Sequence, residues 1–211
     1  MSVNTLYKKL QEFAAPNVFN PWREGDPLDC VDKPALERLK RLRAHMTIAP
    51  KLLLLGEAPG YQGCHFSGIP FTNEKLLLSG AIPRVTINGR ITRRERPWSE
   101  PSATIVWKTL YELELAEETV LWNTFAWHPF KKNVPYSNRT PTPIELEQGL
   151  DVLKLVLNCV APKKVIAVGK IAERTLQSLG IETDGCVRHP AMGGATAFRE
   201  GLRALCKKTK R

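Results

Sequence analysis

The sequence predicts an α/β chain, a three-layer α/β/α sandwich around a central four-stranded, mainly parallel sheet. Three observations carry that reading. Leu52-Leu53-Leu54-Leu55 runs without interruption into Gly56, as expected of a strand buried on both faces. Strand-like and helix-like segments then alternate toward the C-terminus, the order that builds a parallel sheet covered on both sides. The polar residues that end three of these strands, Glu57, Asn123 and His189, would face one rim, where ligands bind in open α/β sheets.

The elements follow in order. Apolar residues at 3, 6, 10 and 13 make Val3 to Phe13 an amphipathic helix, followed by an irregular stretch, Ala15 to Trp22, with two prolines and two aromatics. Pro34 suits the first turn of a helix reaching Met46. Lys51 to Gly56 is the first strand, and a short helix is expected around Lys75 to Ser79. Val85 to Thr92 alternates about Asn88-Gly89, which predicts a hairpin leading into Arg93-Arg94-Glu95-Arg96-Pro97-Trp98. Ser102 to Leu115 reads as a helix and Thr119 to Phe125 as the second strand. Thr142 is an N-cap residue, Pro143 fits the first helical position, and Glu145 lies in the first turn of a long helix reaching Cys159. Lys164 to Gly169 is a third strand, Ile171 to Leu179 a helix that Gly180 stops, and Gly185 to Pro190 a fourth short strand. A last helix, Thr196 to Cys206, ends in a basic tail, Lys207 to Arg211. These elements form one domain over 1–211, with a helical and irregular N-terminal segment (1–48) and a basic hairpin insertion (83–98).

Composition narrows the partners. The 211 residues include 31 Lys and Arg against 21 Asp and Glu, a formal net charge of +10 that attracts polyanions, nucleic acid first among them. A solubilising surface is the competing explanation. No apolar run is long enough to span a membrane, and the first 30 residues lack the apolar stretch of a secretion signal. Five cysteines, an odd number without C-x-x-C spacing, favour reduced thiols in a cytoplasmic, nucleoid-associated protein. No G-x-G-x-x-G or P-loop follows any strand, so nucleotide binding has little support.

Four motifs taken together resemble the uracil-DNA glycosylase superfamily. Gly56-Glu57-Ala58-Pro59-Gly60 is similar to the first motif of its thermophile-type, family 4-like branch, and Gly68-Ile69-Pro70-Phe71-Thr72 to the adjoining base-stacking stretch. Asn123 with Asn138-Arg139-Thr140-Pro141, and then His189-Pro190, are similar to the later motifs, in order and in spacing, from about residue 50 to 205. The chain departs from that branch in its cysteines: Cys30 stands alone, and none lies between Cys64 and Cys159. The resemblance therefore implies a relative without the iron–sulfur cluster, and no metal or cofactor is expected. In the best-studied branch an aspartate stands where this chain has Ala58 and a thymine-excluding tyrosine where it has Gly60. Both differences leave water activation and the breadth of base preference open. Ala126 to Lys131 resembles the neighbourhood of a histidine that captures product covalently in another relative. No arginine-rich loop accompanies it here, so turnover is expected.

What the resemblance implies is a monomeric enzyme that flips uracil out of single- or double-stranded DNA and hydrolyses its glycosidic bond, with downstream repair enzymes as possible partners. His189 would donate a hydrogen bond to the leaving uracil, Glu57 would position water or stabilise the cationic sugar, and Asn123 would match the N3–H and O4 edge. Gly56 and Ala58 would line the base site and Phe71 would stack on the base. Met192 could fill the vacated stack, and Arg139, Arg188, Lys131, Arg93 and Arg94 could contact phosphates. Each residue also has a plainer use: a loop-capping histidine, a glutamate accepting loop amides, a turn asparagine, a core phenylalanine. Two alternatives remain at this point. Gly60 and Gly63 leave room for another deaminated or mismatched base (hypoxanthine, xanthine, thymine), and a basic chain can be a non-catalytic damage sensor.

Overall fold

Alternation along the strands decides the architecture of the computed structural model, which describes residues 3–87 and 89–207. In β2 (Leu52–Gly56) Leu53 and Leu55 enter one apolar core, while Leu52 and Leu54 enter another on the opposite face. Val120 and Trp122 of β3 (Thr119–Asn123) join the first core and Leu121 the second. Ala167 of β5 (Lys164–Val168) faces the first, Ile166 and Val168 the second. With β6 (Gly185–Val187) these strands form one parallel sheet in the order β3-β2-β5-β6. Side chains of period two feeding two cores require helices on both faces.

Those helices are present. The first core receives α1 (Val3–Glu12), part of α2 (Pro34–His45), α6 (Pro143–Val160) and α7 (Lys170–Ser178). The second receives α4 (Glu74–Leu78), α5 (Pro101–Glu112) and α8 (Ala195–Cys206). The predicted three-layer sandwich is therefore the fold, with element boundaries displaced by up to three residues. At the start of α6 the Thr142 hydroxyl accepts from the Glu145 amide while the Glu145 carboxylate accepts from the Thr142 amide, a reciprocal cap. Gly180, at φ +67°, ends the turn that follows α7. Among the described residues no helix is long and apolar enough to cross a membrane.

Two features escaped the sequence reading. A single turn, α3 (Cys64–Ser67), and a two-residue antiparallel ribbon pairing β1 (Val18–Phe19) with β4 (His128–Pro129) tie the irregular N-terminal segment to the sheet rim. Both are too short to leave a periodic signal.

The hairpin expected at 85–92 is not formed. Asn88 lies outside the described residues, as do 208–211 of the basic tail, and the described residues of 83–98 contain no strand. Their backbone groups go elsewhere. The Cys30 amide donates to the Ile91 carbonyl and the Arg93 amide to the Leu28 carbonyl. The buried Glu74 carboxylate accepts from the Thr92 amide and hydroxyl and from the Trp98 amide. Val85, Ile91 and Trp98 are buried. A segment whose apolar residues are drawn into the core and whose amides serve a buried carboxylate has nothing left for self-pairing.

Candidate active site

The sheet order reverses at β2, with β3 on one side and β5 on the other, so loops diverge from the carboxyl ends of the strands. A cleft of about 540 Å³ opens there, and Glu57, Phe71, Asn123 and His189 all line it. A larger groove, about 690 Å³, runs between α2 and residues 86–87 and 89–91 and holds none of the predicted catalytic residues.

Backbone pairing sets the floor. Gly56 pairs with Asn123 across β2 and β3, and beyond them the Thr124 amide donates to the Gly56 carbonyl (2.8 Å). The Glu57 carbonyl accepts from the Phe125 amide at 3.0 Å and from the Thr124 hydroxyl at 2.7 Å. The Glu57 backbone is thereby fixed, while its carboxylate makes no hydrogen bond among the described residues and faces the cleft. Gly56 is required by close approach: a Cβ there would stand 2.4 Å from the Phe71 ring and 2.6 Å from the Asn123 Oδ1. The missing side chain lets a ring and an amide converge over one backbone position. Phe71 holds φ +50°, an uncommon conformation for a bulky residue and one that clusters at functional sites. Its ring centroid lies 6.3 Å from that of His189. Asn123 is 2 % exposed, and its side-chain amide pairs with no described residue and reaches the cleft, where its donor and acceptor are open to a ligand.

His189 follows β6 in a loop that passes over Gly169. The Ala191 amide donates to its Nδ1 at 3.2 Å. A backbone N–H can only donate, so the neutral imidazole carries its proton on Nε2 and is a hydrogen-bond donor there. Burial, with the Arg188 guanidinium adding to it, holds the imidazole below its ordinary pKa.

Glu100, which the sequence reading passed over, also lines the cleft. It precedes α5, and a lone glutamate before a proline-started helix gives no spacing signal that would connect it to residue 57. Its Oε1 accepts from the Ser102 hydroxyl at 2.8 Å, and burial pushes its pKa up against that bond. The space expected beside Gly60 and Gly63 is not vacant. A Cβ on Gly63 would meet the Glu100 Oε2 at 2.0 Å, and one on Gly60 the Oε1 at 3.4 Å.

The far wall is Asn138, whose Oδ1 accepts from the Tyr61 amide at 2.9 Å. A buried polar chain braces this loop. Tyr136 donates to Asp26, His65 Nε2 contacts the other Asp26 oxygen (2.9 Å), the two imidazoles meet Nδ1 to Nδ1 (2.9 Å), and His128 Nε2 donates to the Ser137 carbonyl (2.8 Å). Burial holds both imidazoles below their ordinary pKa, His128 down to about 3, and the Asp26 carboxylate beside His65 opposes that shift without overcoming it.

Among the residues expected to meet phosphates, Arg139 is a correction. Its guanidinium is saturated, bidentate to Glu145 (2.6 and 2.7 Å) and bonded to the carbonyls of Phe130, Thr140 and Asn17. It shapes the cleft wall and has no N–H left for a phosphate. Arg94 lies over the Trp98 ring at 3.7 Å, and Trp98 is buried, so that ring offers no face to a base. Arg93 donates to the Pro27 carbonyl, and neither arginine lines the cleft. Lys131 and Arg188 are exposed and likewise do not line the cleft, although Arg188 adjoins His189, and Met192, 93 % exposed at φ +53°, stands on its rim. Ala58 lines the cleft beside Glu57. Among the described residues no group of three or more His, Cys, Asp or Glu is arranged to hold a metal ion, and all five cysteines are free.

A search of curated protein sequences returned no match. Among solved structures, wild-type SMUG2 from Pedobacter heparinus matches at 16 % identity with a TM-score of 0.45, covering 97 % of this chain and 81 % of that one. The model of the uracil DNA glycosylase superfamily matches residues 44–205, which takes in all four strands of the sheet and every residue of the cleft. The chain belongs to the uracil DNA glycosylase superfamily.

Proposed function

We propose that this protein is a monofunctional uracil-DNA glycosylase, which hydrolyses the bond between uracil and deoxyribose in DNA and leaves an abasic site. The observation that carries the reading is the cleft itself, where an amide open to a ligand, a ring, a free carboxylate and a donor Nε2–H converge from distant parts of the chain.

In this reading the base is extruded from the helix and enters the cleft, since its glycosidic bond is out of reach inside a duplex. Phe71 stacks on it. Asn123 accepts from N3–H and donates to O4, a pattern that cytosine reverses. As the N1–C1′ bond breaks, the electron pair leaves with the base and spreads to O2, where the His189 Nε2–H meets it. Donors aimed at developing charge in a dry site supply the largest share of catalysis. Water adds to the cationic sugar at C1′, with Glu57 placed to orient it and to stabilise the cation, and the proton it loses passes through solvent to the departed uracil anion, giving neutral uracil and the abasic sugar. Arg188 and Lys131 are the exposed cations available for flanking phosphates, and Met192 is placed to occupy the emptied stack.

The Glu100 carboxyl stands beside Gly60 and Gly63, so this part of the cleft is narrower than the two glycines alone suggest. The test is an oligonucleotide with a single uracil, treated with excess protein and then alkali. Strand cleavage at the uracil alone is expected. An intact strand would overturn the proposal and leave the non-catalytic sensor.

A further inference from the structure

We infer that the groove beside α2 is a second binding site, which seats the phosphate of a nucleotide, free or within a strand, on the Arg41 guanidinium. The groove shares no lining residue with the cleft, so the inference does not rest on the glycosylase reading.

Two buried arginines of α2 make the case by contrast. Arg38 is wholly buried and well partnered: it pairs with Asp29 and donates to the carbonyls of Phe66 and Glu24. Arg41 is 6 % exposed, yet it makes one hydrogen bond among the described residues, from Nη2 to the Gly89 carbonyl at 3.3 Å. Its Nε and Nη1 pair with no described residue and are not enclosed, so they open onto the groove. Gly89 occupies one N–H of Nη2, which leaves one forked edge of the guanidinium complete for two oxygens of an anion. A guanidinium withdrawn from water without a counter-charge is disfavoured, and an anion seated against it offsets that cost. Burial, with Arg38 adding to it, lowers the Arg41 pKa to about 10, while Glu74 and Glu37 oppose the shift from beyond ion-pair range. The side chain is charged at neutral pH.

The surroundings select the anion. Helical spacing turns Leu36, Glu37, Lys40, Arg41 and Ala44 to the groove, with Lys33 just before the helix. Lys40 is held by Glu37 and Arg90 by Glu74, whereas Lys33 and Arg41 form no ion pair among the described residues. Asp32, which also lines the groove, forms none either, so two free cations face one free acid. That balance favours a group able to carry more than one negative charge, a phosphate over a carboxylate. At about 690 Å³ the groove lies in the size range of small-molecule sites, with room for the body attached to the phosphate. Exposed Leu36 and half-buried Ile87 supply its apolar flanks.

The experiment follows backbone amides by NMR while deoxyadenosine 5′-monophosphate is added to the protein. The amides of Lys40, Arg41, Ile87 and Gly89 should move and saturate, and deoxyadenosine or succinate at the same concentration should leave them in place. Arg41→Gln should weaken binding about tenfold or more, the usual loss for a hydrogen bond to a charged group. Arg41→Lys keeps the charge without the fork and should weaken it less. Should Arg41→Gln lose its cooperative melting transition, exposed Leu36 carries the test: Leu36→Glu should weaken binding and Leu36→Lys strengthen it, each by about twofold. A uracil-free hexanucleotide of deoxyadenosine separates the sources of the phosphate. The same amides responding at a lower concentration than with the monomer support a strand, and at a higher one a free nucleotide. Unmoved amides, an equal response to deoxyadenosine or succinate, or an affinity indifferent to the charge at 41 and 36 overturns the inference. None of these outcomes bears on uracil release.

Discussion

At the scale of single residues, His189 is the most constrained group in the cleft, since one backbone amide fixes its tautomer and one guanidinium biases its charge. Replacing it with alanine should lower single-turnover uracil release by about 10²- to 10³-fold, the usual loss for one donor aimed at a developing anion. Arg188 disfavours the imidazolium, so Arg188→Gln should raise the His189 pKa toward its ordinary value. NMR titration of the ring would read this as an upward move, and a downward move would contradict it. Which residues meet in the cleft was legible in the sequence because each chemistry-bearing residue ends or follows an apolar strand. Glu100 was not, because its place depends on two glycines 37 and 40 residues earlier that carry no sign of what they admit. Arg139 was misread for a related reason. A basic residue beside a loop suggests phosphate, and only the coordinates show five N–H groups already taken.

Among the elements, the loop between β4 and α6 decides the shape of the cleft wall, and it is held from two sides. Arg139→Ala should lower stability while leaving the salt dependence of DNA binding unchanged, since the guanidinium serves Glu145 and three carbonyls rather than a phosphate. A fall of about one in the salt slope would restore Arg139 to the DNA interface. On the other side, Asp26→Asn replaces a buried carboxylate that accepts from the Tyr136 hydroxyl and the Leu28 amide and contacts His65. It should cost about 1–3 kcal/mol in denaturant unfolding, as leaving buried polar groups poorly paired does. A loss under about 0.5 kcal/mol would show that this chain does not brace the loop. The long helix α6 was legible to its first turn because capping chemistry is local. The 85–92 segment was not. Its Asn-Gly signal is local too, but a buried carboxylate at Glu74 and the 28–30 backbone outcompete it.

Over the whole molecule, two cores on opposite faces of one sheet lock the strand ends that carry the site. His45, at the end of α2, is fully buried, its Nε2 accepting from the Leu121 amide at 3.0 Å. Burial, with Arg84 beside it, lowers its pKa to about 3. Its native pKa is depressed below the unfolded value of about 6.5, so between those values the unfolded chain binds more protons and stability falls as pH drops. The melting temperature should therefore decline as pH is lowered from about 6.5 toward 3, less steeply in His45→Gln. A net charge of +10 adds a second whole-molecule expectation, DNA affinity that weakens steeply with salt. The sandwich was readable from sequence because strand-to-helix alternation repeats over the full length.

The central claim is that one extruded uracil is held by groups from strands far apart in the chain. A crystal structure with DNA bearing a non-cleavable, carbon-linked analogue of deoxyuridine tests it most directly. The account predicts the base flipped into the cleft, stacked on Phe71, with Asn123 and His189 at its polar edge. A base that stays within the duplex, or one lodged elsewhere on the protein, would contradict it.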